Sequence, residues 1–513
     1  MDNMKDYLTI EDRIELRSLF SNPTQADSLP NYDKGMSTRK LCIAATVTSW
    51  VLCILLLVFG LILFEPSWRN LITPPTSYLR VFASLLLNSG ITLCVEALCY
   101  VHSTSLRWGL WHEARLAYNS NLRLFSSTKL GTSVTNTALV NFFSAVSLVI
   151  CYSGASQIFL CEDIHIDADL SRLLNGAINP YALIATSMGI GVQALIASVV
   201  LCAPKHILTW SSNPLNTTLA CMSAGKLERR PGRSLLAVGA QDLPKDCAVV
   251  QSIQCSLRQT GRSTRHITRY LWFTTSLALI WAVGVLVISQ LVFLKDDSDV
   301  VRGPTLTSGN VSIDFMIFAV YLSNEKENVA QSISSIILIG IIQAFVTMAM
   351  HSAEVVINRA RDESVWRQAY AYEKGTHFST SSTKTAVTSW QYLALSMMKT
   401  LVHWMFSLST QPSTDLGTIV IKFAYLPEFL LFMLFVALAI LVTHIARNAP
   451  SGVQPASWGY LQTLADLIDD WGTADDKTLY WGDKGGHGDG IRFAGTSAVV
   501  GEVGKIKETA LYR

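Results

Sequence analysis

A lysine and a histidine lie in the middle of one apolar stretch of this sequence. In MMKTLVHWMFSL, residues 397–408, Lys399 and His403 are four residues apart, so their side chains would project from the same face of a helix. An ionisable group inside a membrane is costly, and it usually faces a cavity, an opposite charge or an ion path. The spacing therefore predicts that Lys399 and His403 point into the interior of a helical bundle.

Polar side chains form a stripe on this segment and on three other apolar segments. On a helix, the polar residues of 389–409 fall within an arc of about 100°, opposite an apolar face. Segments 81–103 and 332–356 have similar stripes, and segment 136–160 has a weaker one. The candidate polar interior predicted from the three stronger stripes comprises Asn88, Thr92, Glu96, Gln343, Thr347, His351, Glu354, Ser396, Lys399 and His403.

Helical rise predicts how deep these groups lie. At about 1.5 Å per residue, Lys399 lies near the midplane, Glu96 in the inner half of the membrane and Glu354 close to the cytoplasmic end of its segment. We therefore predict that Lys399 faces Glu96, with His351 and His403 nearby.

Three alternatives to a functional polar interior remain open. The uncharged residues could form hydrogen bonds that only hold helices together. Glu354 and His351 could extend into the membrane interface. Segment 389–409 could lie flat on the membrane as an amphipathic helix, which would move the C-terminus to the outside.

Motifs of known catalytic and metal sites are incomplete in this chain. Residues 112–116 begin like HExxH but lack the second histidine, and residues 189–194 match GxGxxA only through small residues in an apolar segment. Residues 223–227 lack the rest of a phosphate-binding loop. His351 and Glu354 would supply two ligands from one helix, which do not close a metal site. We therefore expect no metal, no cofactor and no enzyme activity, with a membrane enzyme kept as the minority alternative.

Composition indicates a membrane protein of many spans. Of 513 residues, 50% are hydrophobic and 15% are charged, against about 25% charged in an ordinary soluble chain. The formal net charge of +2 gives no electrostatic reason to expect nucleic acid as a partner. About 20 apolar residues are needed for one span. Seven segments meet this length, and 389–409 is a less hydrophobic eighth: 41–64, 81–103, 136–160, 181–203, 270–294, 332–356 and 424–446.

Basic residues predict the orientation of these spans. With eight spans and the N-terminus inside, 32 Lys and Arg residues fall in cytoplasmic segments and 7 in outside loops, as expected because basic residues are retained in the cytoplasm. The first 40 residues are polar, so we expect the first span to act as a signal anchor. The predicted fold is an all-α bundle of about eight transmembrane helices with a cytoplasmic appendage, divided as follows: tail 1–40, spans 41–203, basic loop 204–269, spans 270–446 and C-terminal module 447–513.

Outside loops carry one candidate modification site. The sequon at Asn310 falls in a predicted outside loop and is a candidate for glycosylation, whereas the sequon at Asn216 falls in the basic loop and would stay unmodified. Among ten cysteines, only Cys161 lies at an outside edge. A disulfide framework is therefore not expected.

Arginines in the basic loop form a candidate site for anionic lipid. Four of them recur at helical spacing before the fifth span, and three more lie in LERRPGR, so they could bind lipid headgroups near the membrane surface. Ordinary topology signalling explains the same charges without a ligand. The candidate lipid-binding residues are Arg229, Arg230, Arg233, Arg258, Arg262, Arg265 and Arg269.

The C-terminal module is predicted to contain a helix and a hairpin. In WGYLQTLADLIDDWG, apolar residues recur at helical spacing, so this helix must dock on another surface. In KTLYWGDKGGHGDGIRFAGTSAVVGEV, short β-prone runs alternate with glycine-rich turns. The acidic and glycine residues of DKGGHGDG do not have the spacing of an EF-hand loop.

Several segments resemble a family of multi-pass membrane proteins of filamentous fungi. They are TWSSNPLNTTLA with RRPGR, HSAEVVINRARDESVWR, SWQYLALSMMKTLVHWMFSLS, and WGYLQTLADLIDDW with WGDKG, within residues 209–504. The resemblance implies a eukaryotic plasma membrane or endomembrane, and it implies that the tail belongs to the native protein. It carries no activity or ligand with it.

Two classes of function fit the sequence. The first is passage or sensing of a small polar solute or ion through the polar interior. The alternative is a scaffold or signalling protein that recruits cytoplasmic partners through its basic loop and C-terminal module. No inverted repeat of the kind found in many transporters is visible. Membrane lipids are the expected partners in both cases, and no substrate or oligomeric state follows from the sequence.

Overall fold

The computed structural model describes residues 29–65, 77–162, 177–240, 254–295, 313–315, 327–370, 375–378, 389–415, 418–472, 478–486 and 490–512. Most of these residues are helical. The described α-helices are α1 (Met36–Ile62), α2 (Ser77–His112), α3 (Ala138–Ser156), α4 (Pro180–Cys202), α5 (Pro214–Ser223), α6 (Leu257–Thr260), α7 (Arg262–Lys295), α8 (Glu327–Arg367), α9 (Trp390–Ser409), α10 (Tyr425–Arg447) and α11 (Leu461–Leu467).

Seven helices in the described part of the chain are long and apolar enough to cross a membrane. They are α1, α2, α3, α4, α7, α8 and α10, and they coincide with the seven clear spans predicted from the sequence. The chain is therefore a multi-pass membrane protein. Helix α9 has 20 residues, enough to span, but its polar stripe keeps it out of this set.

Helices α4 and α5 begin with an asparagine N-cap followed by proline. Asn179 accepts hydrogen bonds from the backbone N–H groups of Tyr181 and Ala182, and Pro180 occupies the first turn of α4. The same Asn-Pro pair recurs at the start of α5, where Asn213 accepts from the N–H of Leu215. An asparagine cap satisfies N–H groups that the helix cannot, and proline lacks the N–H that would otherwise need a partner.

The bundle has two apolar cores. One is drawn from α1 to α4 and the other mainly from α7 to α10. Within the first, α3 and α4 approach closely at Gly189, where an added Cβ would lie 2.7 Å from the Cα of Cys151. The small residues of 189–194 thus serve helix packing. The two halves meet where α2 and α3 contact α8 and α9.

One end of the bundle carries a five-stranded sheet that the sequence did not predict. The described strands of the chain are β1 (Phe159–Glu162), β2 (Ala177–Ile178), β3 (Ile313–Phe315), β4 (Thr376–His377), β5 (Thr410–Asp415), β6 (Thr418–Phe423), β7 (Thr478–Gly486), β8 (Ile491–Ser497) and β9 (Leu511–Tyr512). The first sheet has the order β2-β1-β5-β6-β3. It joins segments that follow α3, α7 and α9 or precede α4 and α10, and we call this the sheet end.

The opposite end carries a compact module. The described residues of 204–240, 366–378 and 453–512 share one apolar core, and together they form the module. It contains α5, α11 and a second sheet of order β4-β7-β8-β9. The predicted β7–β8 hairpin is confirmed, while the predicted helix is limited to Leu461–Leu467. The tail is thus built together with the basic loop and the end of α8. We call this the module end.

Helix α9 runs from the module end to the sheet end. Before it, β4 pairs with β7 of the module. After it, β5 pairs in parallel with β1 of the other sheet. Near the start of α9, Tyr392 shares a pocket with Ser212 of the module. The chain therefore passes along the bundle within α9.

Candidate functional site

Lys399 lies at the centre of the site. Its Nζ is 2.6 Å from Oε1 of Glu96 on α2 and 2.8 Å from Oε2 of Glu354 on α8. The lysine side chain is 1% exposed, and the two carboxylates are 7% and 23% exposed. Two carboxylates thus share one ammonium group, across the boundary between the two halves of the bundle. The pairing of Lys399 with Glu96 is the one expected from the helical stripes.

His351 completes this group on α8. Its Nδ1 is 3.4 Å from Oε2 of Glu354, one helical turn further along the chain. We call Glu96, His351, Glu354 and Lys399 the charge cluster. With both carboxylates and the lysine ionised and the imidazole neutral, the cluster has a formal charge of −1. Such a cluster is favourable only while every charge has its partner, because each desolvated charge costs several kcal/mol.

The geometry of the charge cluster also bears on metal binding. Glu96, His351 and Glu354 have ligand atoms within 4.8 Å of one another, and their oxygen and nitrogen donors suit divalent cations. The ammonium group of Lys399, however, already contacts both carboxylates. A metal ion would have to displace this ammonium group, so the arrangement holds an internal cation in the place where a metal would bind.

A second polar group lies further along α9, towards the sheet end. The ring of His403 stacks on Tyr152 with centroids 3.5 Å apart, and its Nδ1 is 2.7 Å from Nε2 of Gln343. One turn further, Oγ of Ser407 is 3.5 Å from Nδ2 of Asn88. His403, Gln343, Ser407 and Asn88 thus extend the polar contacts from the charge cluster towards the sheet end. We call this series of residues the polar line.

The remaining predicted residues lie along this same line. Thr92 and Thr347 are fully buried, and Ser396 is half-buried one turn before Lys399. Among the described residues, Oγ1 of Thr347 and Oε1 of Gln343 have no hydrogen-bond partner. Buried polar atoms normally have partners, so these two atoms mark a place where the polar line is incomplete.

A pocket connects the charge cluster to the module end. Its cavity volume is about 70 Å³, and α2, α8, α9 and the segment after α2 form its walls. Glu96, His351 and Glu354 line its deep part, and Asn358 and Tyr392 lie nearer the module. The charge cluster is therefore approached from the module end.

Sequence reasoning missed three arginines and one acid. Arg107, Arg123 and Arg361 line the pocket, although their positions near segment ends read only as topology signals. Glu428 is buried near the start of α10, beside Ser409. The sequence did contain a signal for Glu428, because it is the one carboxylate in the predicted span 424–446.

The candidate lipid-binding arginines fall into two groups. Arg230 pairs with both carboxylate oxygens of Asp466, Arg229 lies over the ring of Phe493, and Arg233 is buried. These three therefore stabilise the module. The other four are exposed around the start of α7, where lipid binding stays a prediction: Arg258, Arg262, Arg265 and Arg269.

The two sequons differ in what the structure describes. Asn310 lies outside the described residues, so its glycosylation stays a prediction. Asn216 is fully buried, and its side chain exchanges hydrogen bonds with the backbone of Asp33. A glycan could not be attached there in the folded protein.

Comparison with known proteins identifies no relative of this chain: no protein-family model, no curated protein and no solved structure matches it. The resemblance to multi-pass proteins of filamentous fungi therefore stays a prediction. Only the geometry of the site supports a function.

Proposed function

We propose that this membrane protein passes or senses a small polar solute or ion that enters the pocket from the cytoplasm and reaches the charge cluster. The observation that carries the proposal is the buried contact of Lys399 with Glu96 and Glu354 at the deep end of a pocket. A helix-packing role alone gives no reason to place a pocket beside two buried charges and a partly exposed one. No catalytic reaction is part of the proposal.

The proposal includes α9 as an eighth span. The chain enters α9 from the module end and leaves it at the sheet end, so α9 follows the same length of the bundle as its neighbours. Eight crossings return the C-terminus to the side of the N-terminus. The excess of Lys and Arg in segments at the module end favours a cytoplasmic position for both.

The polar line supports a path beyond the cluster. His403, Gln343, Ser407 and Asn88 continue it towards the sheet end, while the stacked rings of Tyr152 and His403 fill the space beside it. In this arrangement the site is open to the module end and closed towards the sheet end. Passage would require the stacked rings to separate, whereas sensing would require only access to the cluster.

Cysteine accessibility tests this proposal. A small charged thiol reagent is added from the module side of membrane vesicles to variants Asn358→Cys, in the pocket wall, and Gln343→Cys, in the polar line. The matched control is Ile341→Cys, which is on the same helix with a 58% exposed side chain facing away from the interior. All variants carry Cys202→Ser, because native Cys202 is exposed, whereas burial raises the pKa of the Cys221 thiol to about 12 and keeps it protonated at neutral pH.

We expect Asn358→Cys to react well above the Ile341→Cys control, and Gln343→Cys to react more slowly. Reaction at Asn358 with none at Gln343 would restrict the function to sensing at the cluster. No reaction above the control at either position would contradict both forms of the proposal. It would favour the scaffold alternative, in which the polar stripes only hold helices together.

A further inference from the structure

We infer that the pocket binds an oxyanion, a carboxylate or phosphate group of a small solute, beside Arg123 and Arg361 near the module end. This inference deepens the proposed function, because it assigns a chemical class to what enters the same pocket. It goes beyond the charge cluster, since the residues that would bind the anion are different ones.

Arg123 is the first reason for the inference. It comes from the segment between α2 and α3 and is 7% exposed. Its Nη1 contacts Nδ1 of His102 at 3.0 Å and donates to Oγ of Ser144 at 3.1 Å. Its Nη2 has no hydrogen-bond partner among the described residues. Glu96 attracts this guanidinium group through space, but nothing accepts a hydrogen bond from its Nη2 within the described residues, and an oxyanion would supply that acceptor.

Arg361 lies in the wall of the same pocket, on α8. One of its terminal nitrogens, Nη2, is 3.1 Å from Oδ1 of Asp362. Its Nε, like Nη2 of Arg123, has no hydrogen-bond partner within the described residues. Asp362 also accepts hydrogen bonds from Nδ2 of Asn119 and from the hydroxyl of Ser120. These donors hold its carboxylate in place, and Arg361 shares that carboxylate with them.

The balance of charge around the pocket favours an anion. With His351 neutral, the charged lining comprises Arg107, Arg123 and Arg361 against Glu96 and Glu354. Both carboxylates are already paired with Lys399, and Arg107 donates to the backbone carbonyls of Asn119 and Ser211, which carry no net charge. Including Lys399 and Asp362, the surroundings of the pocket hold one positive charge in excess.

The carboxylates also determine where the anion would lie. Glu96 and Glu354 at the deep end would repel a second negative group, so the oxyanion belongs nearer the mouth, between the arginines. A polar or cationic part of the same solute could then face the charge cluster. Guanidinium groups suit planar or tetrahedral oxyanions because they present several N–H donors in a fixed geometry.

Binding of inorganic phosphate to the purified full-length protein tests the inference. Calorimetry in neutral detergent, with chloride replaced at constant ionic strength, gives the dissociation constant. Asn358 is half-buried in the pocket wall, so Asn358→Asp adds a negative charge without removing a buried arginine. We expect Asn358→Asp and Arg123→Gln each to weaken phosphate binding at least about tenfold.

Two control variants distinguish loss of phosphate binding in the pocket from nonspecific electrostatic effects and from misfolding. Asn358→Ser changes the same position without a charge, and we expect it to alter the affinity less than about threefold. Arg265→Gln removes an exposed arginine outside the pocket lining, and it should leave the affinity unchanged. If Arg123→Gln does not fold, the comparison of Asn358→Asp with Asn358→Ser still decides the result.

The outcomes distinguish this inference from the proposed function. Phosphate binding that Asn358→Asp removes would support the anion site even if Gln343→Cys proved inert to thiol reagents. Reaction of Asn358→Cys with neither phosphate binding nor protection by vesicles containing phosphatidic acid would keep the entrance and overturn the anion site. If vesicles containing phosphatidic acid, and not free phosphate, protect Asn358→Cys from the reagent, the oxyanion chemistry holds and a lipid headgroup is its source.

Discussion

At the scale of single residues, the charged groups whose burial costs the most free energy lie together. Lys399, Glu96 and Glu354 come from three helices that are far apart in the chain, and each charge is compensated by the others. Replacing a buried ion pair by apolar groups can be harmless, but removing one partner leaves a buried charge without compensation. The effect of a substitution in this cluster therefore depends on which charges remain.

Lys399→Met leaves two carboxylates facing each other, and we expect it to destabilise the protein by about 3–5 kcal/mol. The thermal unfolding midpoint of the purified protein checks this. Lys399→Arg keeps the positive charge and is expected to cost less. The double variant Lys399→Met with Glu96→Gln leaves only Glu354, which is partly exposed and contacts His351, so it should be more stable than Lys399→Met alone.

Additive effects of the two substitutions would mean that Lys399 and Glu96 do not interact. The same variants also separate the two classes of function. A double variant that folds but loses its response to a pocket ligand would favour passage or sensing. Loss of expression alone in Lys399→Met, with full recovery in the double variant, would favour a packing role for the stripe.

At the scale of elements, α8 connects the site to the module. His351 and Glu354 belong to the charge cluster, and two turns later Glu363 binds the tail. One of its carboxylate oxygens accepts hydrogen bonds from the N–H groups of Ser457 and Trp458. The neighbouring Asp362 contacts the segment after α2. A movement of α8 would therefore displace the pocket and the tail together.

Gly459 tests this connection. It has φ of +71°, and a Cβ added there would lie 2.8 Å from Cβ of Asp362. Gly225 has nearly the same φ, +69°, with nothing within 4 Å of an added Cβ, so Gly225→Ala is a matched control. Both substitutions cost about 1 kcal/mol for the left-handed backbone, and Gly459→Ala adds about 1–3 kcal/mol for overpacking against Asp362.

Limited proteolysis of the tail, with the thermal unfolding midpoint, checks this difference. We expect Gly459→Ala to speed cleavage within residues 453–512 and Gly225→Ala to leave that rate close to the wild type. Equal cleavage rates in the two variants would mean that the contact between Gly459 and Asp362 does not hold the tail on α8.

At the scale of the whole molecule, the two ends of the bundle differ in how they are built. The sheet end consists of short strands from three connections, whereas the module end has its own apolar core from three distant parts of the chain. The position of the module relative to the membrane follows from whether α9 spans. A reporter fused to the C-terminus therefore tests the architecture and the premise of the proposed function together.

We expect this reporter to lie in the cytoplasm, because eight spans return the chain to its starting side and the basic loops favour that side. Glycosylation at Asn310 is the internal control, since the same topology places that sequon outside. An external reporter with an unglycosylated Asn310 would reverse the whole orientation. An external reporter with glycosylated Asn310 would show that α9 does not cross the membrane.

The sequence by itself determined much of this protein. Its seven long apolar segments predicted seven spanning helices. A segment that crosses the hydrocarbon layer must have its backbone polar groups paired, and a helix of that length pairs them within the segment itself. Helical periodicity alone predicted that Lys399 faces the interior. The glycine-rich turns of the tail predicted its hairpin, because local turn chemistry is readable over a few residues.

Only the tertiary structure decided which distant groups meet. Nothing in the sequence around Glu354 indicates that it shares the ammonium group of Lys399 with Glu96, because that contact depends on the relative rotation of three helices. The arginines of the pocket, Arg123 and Arg361, carry no motif, and only packing leaves nitrogen atoms on both without partners. Periodicity determines which face of a helix is buried, whereas the partner of each buried charge is determined by how the helices pack.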